Sequence, residues 1–256
     1  MSSHDGKAHR RTLPRAVEDI RLTYTSDESW WYDQNSELDS WSVSADVWDL
    51  EAEERVSHVG SFHFVRIDPY EMHDVFDLLD GFDGDLGVVA SAIIDPATND
   101  YRDEIDNFAE PGAGSATLIL NTAVLEPEWR GFGLGVILAG RAIKRLGVGC
   151  RTAVCFPAPL DGAKGQQRSQ AINAIGAAWQ RLGFEHFRDG TYVLDLGTIT
   201  FGENLDALTK KAEQLPQPAL DDQFQGVPAE GVGVGGQASG STSGCVNRTG
   251  LPSDRA

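Results

Sequence analysis

Val124-Leu125-Glu126-Pro127-Glu128-Trp129-Arg130-Gly131-Phe132-Gly133-Leu134-Gly135 joins an apolar run over residues 116–125 to a helical pattern that follows. The run stops at a proline, three glycines alternate with large apolar residues, and the helix begins. This order predicts a strand, a tight loop without side-chain bulk, and a helix whose first amides are unpaired. Such amides, aimed by the helix dipole, suit a phosphate or pyrophosphate. The same glycines would also serve a turn that packs a helix closely against a sheet.

The glycine order excludes two better-known loops. A Walker A loop ends in Gly-Lys-Ser/Thr, whereas Gly135 is followed by Val136 and Ile137, so no lysine is placed for a γ-phosphate. A dinucleotide fingerprint reads Gly-x-Gly-x-x-Gly within a βαβ unit, and here the glycines alternate strictly.

Working outward, Val136, Ala139, Gly140 and Ile143 recur on one helical face, with Arg141, Lys144 and Arg145 opposite and Gly147 and Gly149 as the stop. Residues 151–156 read as a strand closed by Pro157 and Pro159, and 161–167 as a polar loop. Residues 169–182 read as a second helix stopped by Gly183, and 184–187 with 192–196 as a hairpin. Upstream, residues 41–50 and 55–67 read as strands around an acidic turn, 71–79 as a short helix and 86–94 as an apolar strand. Residues 100–108 are a helix or a loop. Residues 201–215 read as a last helix, with Leu205, Leu208 and Ala212 on one side.

This order of strand, Arg-Gly-x-Gly-x-Gly loop, helix, strand, helix, Trp179-x-x-Leu182-Gly183-Phe184 and hairpin resembles the GCN5-related N-acetyltransferases (GNAT). The resemblance is good over residues 116–196 and loose over 41–95. It implies an α/β fold: one GNAT-like domain over 21–212, with a mixed, mostly antiparallel central sheet flanked by helices. It further implies that acetyl-CoA, or another short acyl-CoA, is held by backbone along Val124 and Leu125 and around Arg130, Gly131, Phe132, Gly133, Leu134 and Gly135. Asn173 matches an asparagine early in the family's second helix. The cofactor strand is expected to bulge and to splay from the next strand, opening a slot for the thioester. The implied activity is transfer of an acetyl group to an amine, with a non-catalytic acyl-CoA-binding or interaction domain as the alternative.

One position departs from the family. Where a tyrosine often protonates the leaving thiolate, this chain has Trp179, and an indole N–H is no acid at neutral pH. Solvent or another residue can take that role, Trp179 can simply pack in the core, or the domain can bind without transfer. Among carboxylates Glu126, at the end of the cofactor strand, is the candidate base. Glu128 reads as an exposed loop charge, and His63, between Phe62 and Phe64, as a weaker candidate than Glu126. His58, His73 and His186 show no arrangement that improves on these.

The whole chain of 256 residues carries 39 acidic against 21 basic residues, net -18. Residues 27–110 hold 23 acidic residues against Arg55, Arg66 and Arg102, a net of -20. Such a field attracts a cationic amine or a basic peptide and disfavours nucleic acid and anionic membrane, although an acidic surface also serves solubility alone. Expected partners are therefore a small-molecule amine or basic peptide acceptor and, as a homodimer, a second copy of the chain. Residues 1–20 read as a flexible basic arm and 213–256 as a disordered tail rich in Gly, Ser and Pro. Trp30-Trp31-Tyr32 is expected to cap the sheet or to line an acceptor or partner surface. Three cysteines, Cys150, Cys155 and Cys245, in no ligand spacing point to no metal and no disulfide framework, and a cytoplasmic location is expected.

Overall fold

The structure is a computed structural model and describes residues 11–27, 37–49, 51–109, 114–158 and 165–218. The Trp30–Tyr32 cluster, Cys245 and the tail beyond residue 218 lie outside them. The strands are β1 (Ile20–Thr25), β2 (Asp39–Asp49), β3 (Glu54–Ile67), β4 (Ala116–Leu125), β5 (Cys150–Cys155), β6 (Glu185–His186) and β7 (Tyr192–Asp195). They form one sheet in the order β1-β2-β3-β4-β5-β7-β6. β4 and β5 are parallel and every other neighbouring pair is antiparallel. The helices are α1 (Val75–Phe82), α2 (Gly84–Ile93), α3 (Asp103–Asp106), α4 (Leu134–Leu146), α5 (Gly165–Gln180) and α6 (Thr200–Glu213). The fold is thus α/β with a mixed, mostly antiparallel sheet and helices on its two faces.

Alternation along the strands makes the two cores. Phe62, Phe64, Leu118 and Leu120 face α4 and α6, in a cluster that includes Trp129, Trp179 and Phe184. Val65, Ile67, Ile119, Val154 and Val193 face the opposite side and pack with Leu79 of α1, Leu86, Val89 and Ile93 of α2, and Ile105 of α3. Each strand between the helical layers therefore buries both parities of side chain.

Residues 86–93 are helical, not a strand, and only Ile94 is extended, in a bridge to Tyr101. A short apolar run does not reveal its period, but Leu86, Val89, Ala90 and Ile93 fall on one helical face and are buried. The Asp83 side chain accepts the Asp85 N–H at 3.1 Å, capping the first turn. α1 likewise starts at Val75 instead of residue 71 and runs on to Phe82. These helices lie between the third and fourth strands.

The arm expected over residues 1–20 is anchored along its second half. Leu13 is buried and its N–H donates to the Pro216 carbonyl at 3.0 Å. Ile20, Leu22 and Tyr24 place alternate side chains of β1 on the core, adding a strand to those expected. At the other end, α6 continues to Glu213 and Leu215 still packs on the core.

Candidate functional site

β4 pairs with β5 only from Ala116 to Leu120, the last partners being Leu120 and Cys155. Its pairing with β3 continues to Leu125, opposite Gly60. Residues 121–125 thus have a strand on one edge and none paired on the other. At the point of divergence β4 bulges. Leu120 faces Phe64 and Thr122 faces His63, which leaves Asn121 as the extra residue. A bulge of this kind turns a strand and releases backbone groups from the ladder.

Beyond the open stretch, Glu126 donates its N–H to the Val59 carbonyl at 2.9 Å, and Pro127–Trp129 form one 3-10 turn. Trp129 is buried and anchors that turn while Glu128 and Arg130 stay exposed. Arg130 Nε donates to the Leu125 carbonyl at 2.7 Å, so this side chain fastens the strand end to the loop. Gly133, at φ +80°, caps α4 in the left-handed region that favours glycine. No side chain caps α4 and its first turn has no acidic residue, while Lys144 and Arg145 fill its last turn. The loop therefore presents amides and the positive end of a helix whose first turn carries no acidic residue. Arg11 adds a cation: its guanidinium lies 5.2 Å from the centroid of the Phe132 ring. Arg11 lies over a hundred residues away along the chain, so no local pattern couples it to the loop.

A second group gathers at the bulge, on the face that carries α1 and α2. His63 Nε2 lies 2.8 Å from Ser40 Oγ, and His63 Nδ1 lies 3.4 Å from Asn121 Nδ2. Asn121 Nδ2 also reaches Asp83 Oδ2 at 3.4 Å. An amide nitrogen only donates, so Nδ1 accepts and Nε2 carries the hydrogen given to Ser40. The basic lone pair of His63 thus points to the bulge. Phe82 stacks on the imidazole, centroids 5.8 Å apart and planes 11° apart. Burial holds the His63 pKa below its ordinary value, partly offset by Asp83, which keeps the ring neutral and competent as a base at neutral pH.

The other sequence candidates are spread around these two groups. Val124 and Leu125 are half-buried on the open stretch of β4, and Asn173 is exposed on α5. Glu126 is half-buried five residues beyond Asn121, roughly 16 Å along an extended strand, so it belongs to the glycine loop and not to the bulge. Trp179 is buried edge-on against Phe184, centroids 5.8 Å apart. The nearby tyrosine is Tyr192 of β7, opposite Cys155 at the row where β4 and β5 part. Its hydroxyl packs directly against Gly176 of α5, where any β-carbon would collide with it. Cys155 is buried and desolvation raises its pKa, and burial pushes the Cys150 thiol up to about 11. Neither is a ready nucleophile.

A groove of about 870 Å³ lies between β1, α4 and α6, lined by residues such as Leu22, Tyr24, Ile137 and Arg141. It is separate from the opening between β4 and β5. Among the described residues no group of three His, Cys, Asp or Glu side chains is placed to hold a metal, and no helix is long and apolar enough to cross a membrane. Compared with protein-family models and with curated protein sequences, the chain matches none.

Proposed function

We propose that this chain is an acyl-CoA-dependent N-acyltransferase of the GCN5-related type, transferring acetyl or another short acyl group to an amine. The observation that carries this reading is the parting of β4 from β5 after Leu120, at a bulge, on the strand that leads into the glycine loop. The donor set fits the cofactor's two ends. Loop and α4 amides, with Arg11 nearby, offer a cationic seat for a pyrophosphate, and the unpaired edge of residues 121–125 offers amides and carbonyls for a pantetheine arm. Bound acyl-CoA supplies the activated thioester.

In this reading the base is His63 and not Glu126. Its lone pair faces the bulge and takes the proton of the attacking amine, while Ser40 holds the ring in the matching tautomer. Asp83 and the acidic α1–α2 segment draw a protonated amine toward the same face. His63→Gln is expected to lower turnover by about 100-fold, the usual range for a general base. Wild-type turnover should fall as pH drops through the depressed His63 pKa, and the variant should lose that limb; an unchanged profile removes His63 as base. The linkage sign also gives a stability test. Between the folded pKa and the unfolded value near 6.5 the unfolded chain binds more protons. His63 therefore costs stability as pH falls below about 6.5, levelling off under its folded pKa, and His63→Gln should flatten the denaturation midpoint across that window.

Tyr192 stands in for the absent family tyrosine as the acid for the leaving thiolate. Tyr192→Phe is expected to cut turnover about tenfold, at the lower edge of general-acid effects, with acetyl-CoA affinity retained; equal turnover assigns that proton to solvent. A second reading, a domain that binds acyl-CoA without transfer, rests on Trp179 standing where the family has its tyrosine. Titration calorimetry with acetyl-CoA, followed by thiol release with a panel of amines, separates the two. Binding with amine-dependent thiol release supports the transferase. Binding alone supports the second reading, and a folded protein that does not bind overturns both.

A further inference from the structure

Three side chains that play no part in the reading above stand in line on the open half of the same sheet face. Asp46 Oδ1 of β2 lies 2.7 Å from His58 Nδ1 of β3, and His58 Nε2 lies 2.9 Å from Ser61 Oγ. The Asp46 side chain is 5% exposed and that of His58 33% exposed, and Ser61 is exposed. Ser44 Oγ donates to the other oxygen of Asp46 at 2.6 Å, and Arg55 Nη1 stands 3.7 Å from Oδ1. The carboxylate is thus held by two groups besides the imidazole.

A regular strand would not assemble this line. Residues three apart, such as His58 and Ser61, point to opposite faces when side chains alternate. Here the β2–β3 register shifts between Ala45 and Asp46. Gly60 faces Ala45 and His58 faces Asp46, which leaves Val59 as an extra residue. The irregularity reverses the parity, so that His58 shares a face with Ser61. With Asp46 accepting from Nδ1–H, the Nε2 lone pair is directed at the Ser61 hydroxyl, the arrangement that makes a serine oxygen nucleophilic.

We propose that Ser61 is an activated nucleophile toward acyl esters and thioesters, served by His58 as base and Asp46 as its orienting carboxylate. Ser61 Oγ bonds to the acyl carbon and its proton passes to His58 Nε2. The bond to the leaving oxygen or sulfur then breaks, and that atom takes the proton from His58. Water attacks the acyl-serine with His58 again as base, releasing the acid and restoring the hydroxyl. Ser61 faces Val124 on the open stretch of β4, which gives an acyl group access from that side.

The test is labelling of the full chain with a fluorophosphonate probe, followed by peptide mapping by mass spectrometry. The expected result is an adduct on Ser61, absent in Ser61→Ala and formed at least about 100-fold more slowly in His58→Gln, as loss of a general base entails. No Ser61 adduct on folded protein, or an equal labelling rate in His58→Gln, overturns the proposal. Because His58 is partly exposed, the variant's thermal unfolding curve can show that its fold is intact, and Asp46→Asn provides a second slowed variant. The probe contains no CoA. A Ser61 adduct on protein that fails to bind acetyl-CoA would sustain this inference while sinking the acyl-CoA reading.

Discussion

Gly133→Asp is expected to abolish acetyl-CoA binding, whereas Gly133→Asn is expected to keep it within about tenfold. The two side chains have nearly the same shape, and both tolerate the left-handed backbone better than other residues do. At φ +80° each pays a similar strain of about 1–3 kcal/mol, and a β-carbon there meets no atom within 4 Å. The difference between them is one negative charge at the positive end of α4. If a pyrophosphate sits on those amides, the aspartate costs several kcal/mol in like-charge repulsion, enough for a loss of affinity of about 100-fold or more. Calorimetry on both variants, with circular dichroism to verify folding, reads the contrast. Equal affinities would remove the loop as the pyrophosphate seat, whatever the fate of the rest of the site.

Trp179→Ala is expected to destabilise the protein by about 3–5 kcal/mol, the usual cost of truncating a large buried aromatic. Trp179 is 6% exposed and stands edge-on to the fully buried Phe184. Its carbonyl also accepts the N–H groups of Leu182 and Phe184, at 2.9 and 3.3 Å, closing the turn that leads into β6. Loss of the ring leaves a cavity under that turn. Phenylalanine at the same position keeps an aromatic edge against Phe184 and should cost much less. Urea midpoints followed by far-UV circular dichroism give both numbers. A midpoint for Trp179→Ala close to that of the unaltered protein would show that the ring is not part of the core.

These two positions also mark what could be read before any tertiary contact was known. Trp179-x-x-Leu182-Gly183-Phe184 and the glycine loop are local signals: a helical period, a glycine stop and an apolar residue after it place a helix end wherever they occur. For the same reason α4, β5, α5, the terminal hairpin and α6 stand within a few residues of their expected places, α5 beginning some four residues early. α2 was not legible because its apolar residues, packed on a sheet, do not show their period, and β1 because only six residues next to the basic arm carry its alternation. The cap at Asp83 was the available signal for the first, and Ile20, Leu22 and Tyr24 for the second.

The sites divide along the same line. The strand, loop and helix that present unpaired amides at Gly133 follow from composition and order along a dozen residues, because glycine conformational freedom and helix-end geometry are properties of the local chain. The gathering of Ser40, His63, Asp83 and Asn121, and the line from Asp46 through His58 to Ser61, were decided only in the folded sheet. Each depends on a register shift, at Asn121 in one case and Val59 in the other. A single extra residue in a strand reverses which face every later side chain takes, and no count along the sequence reveals where two strands choose to place it.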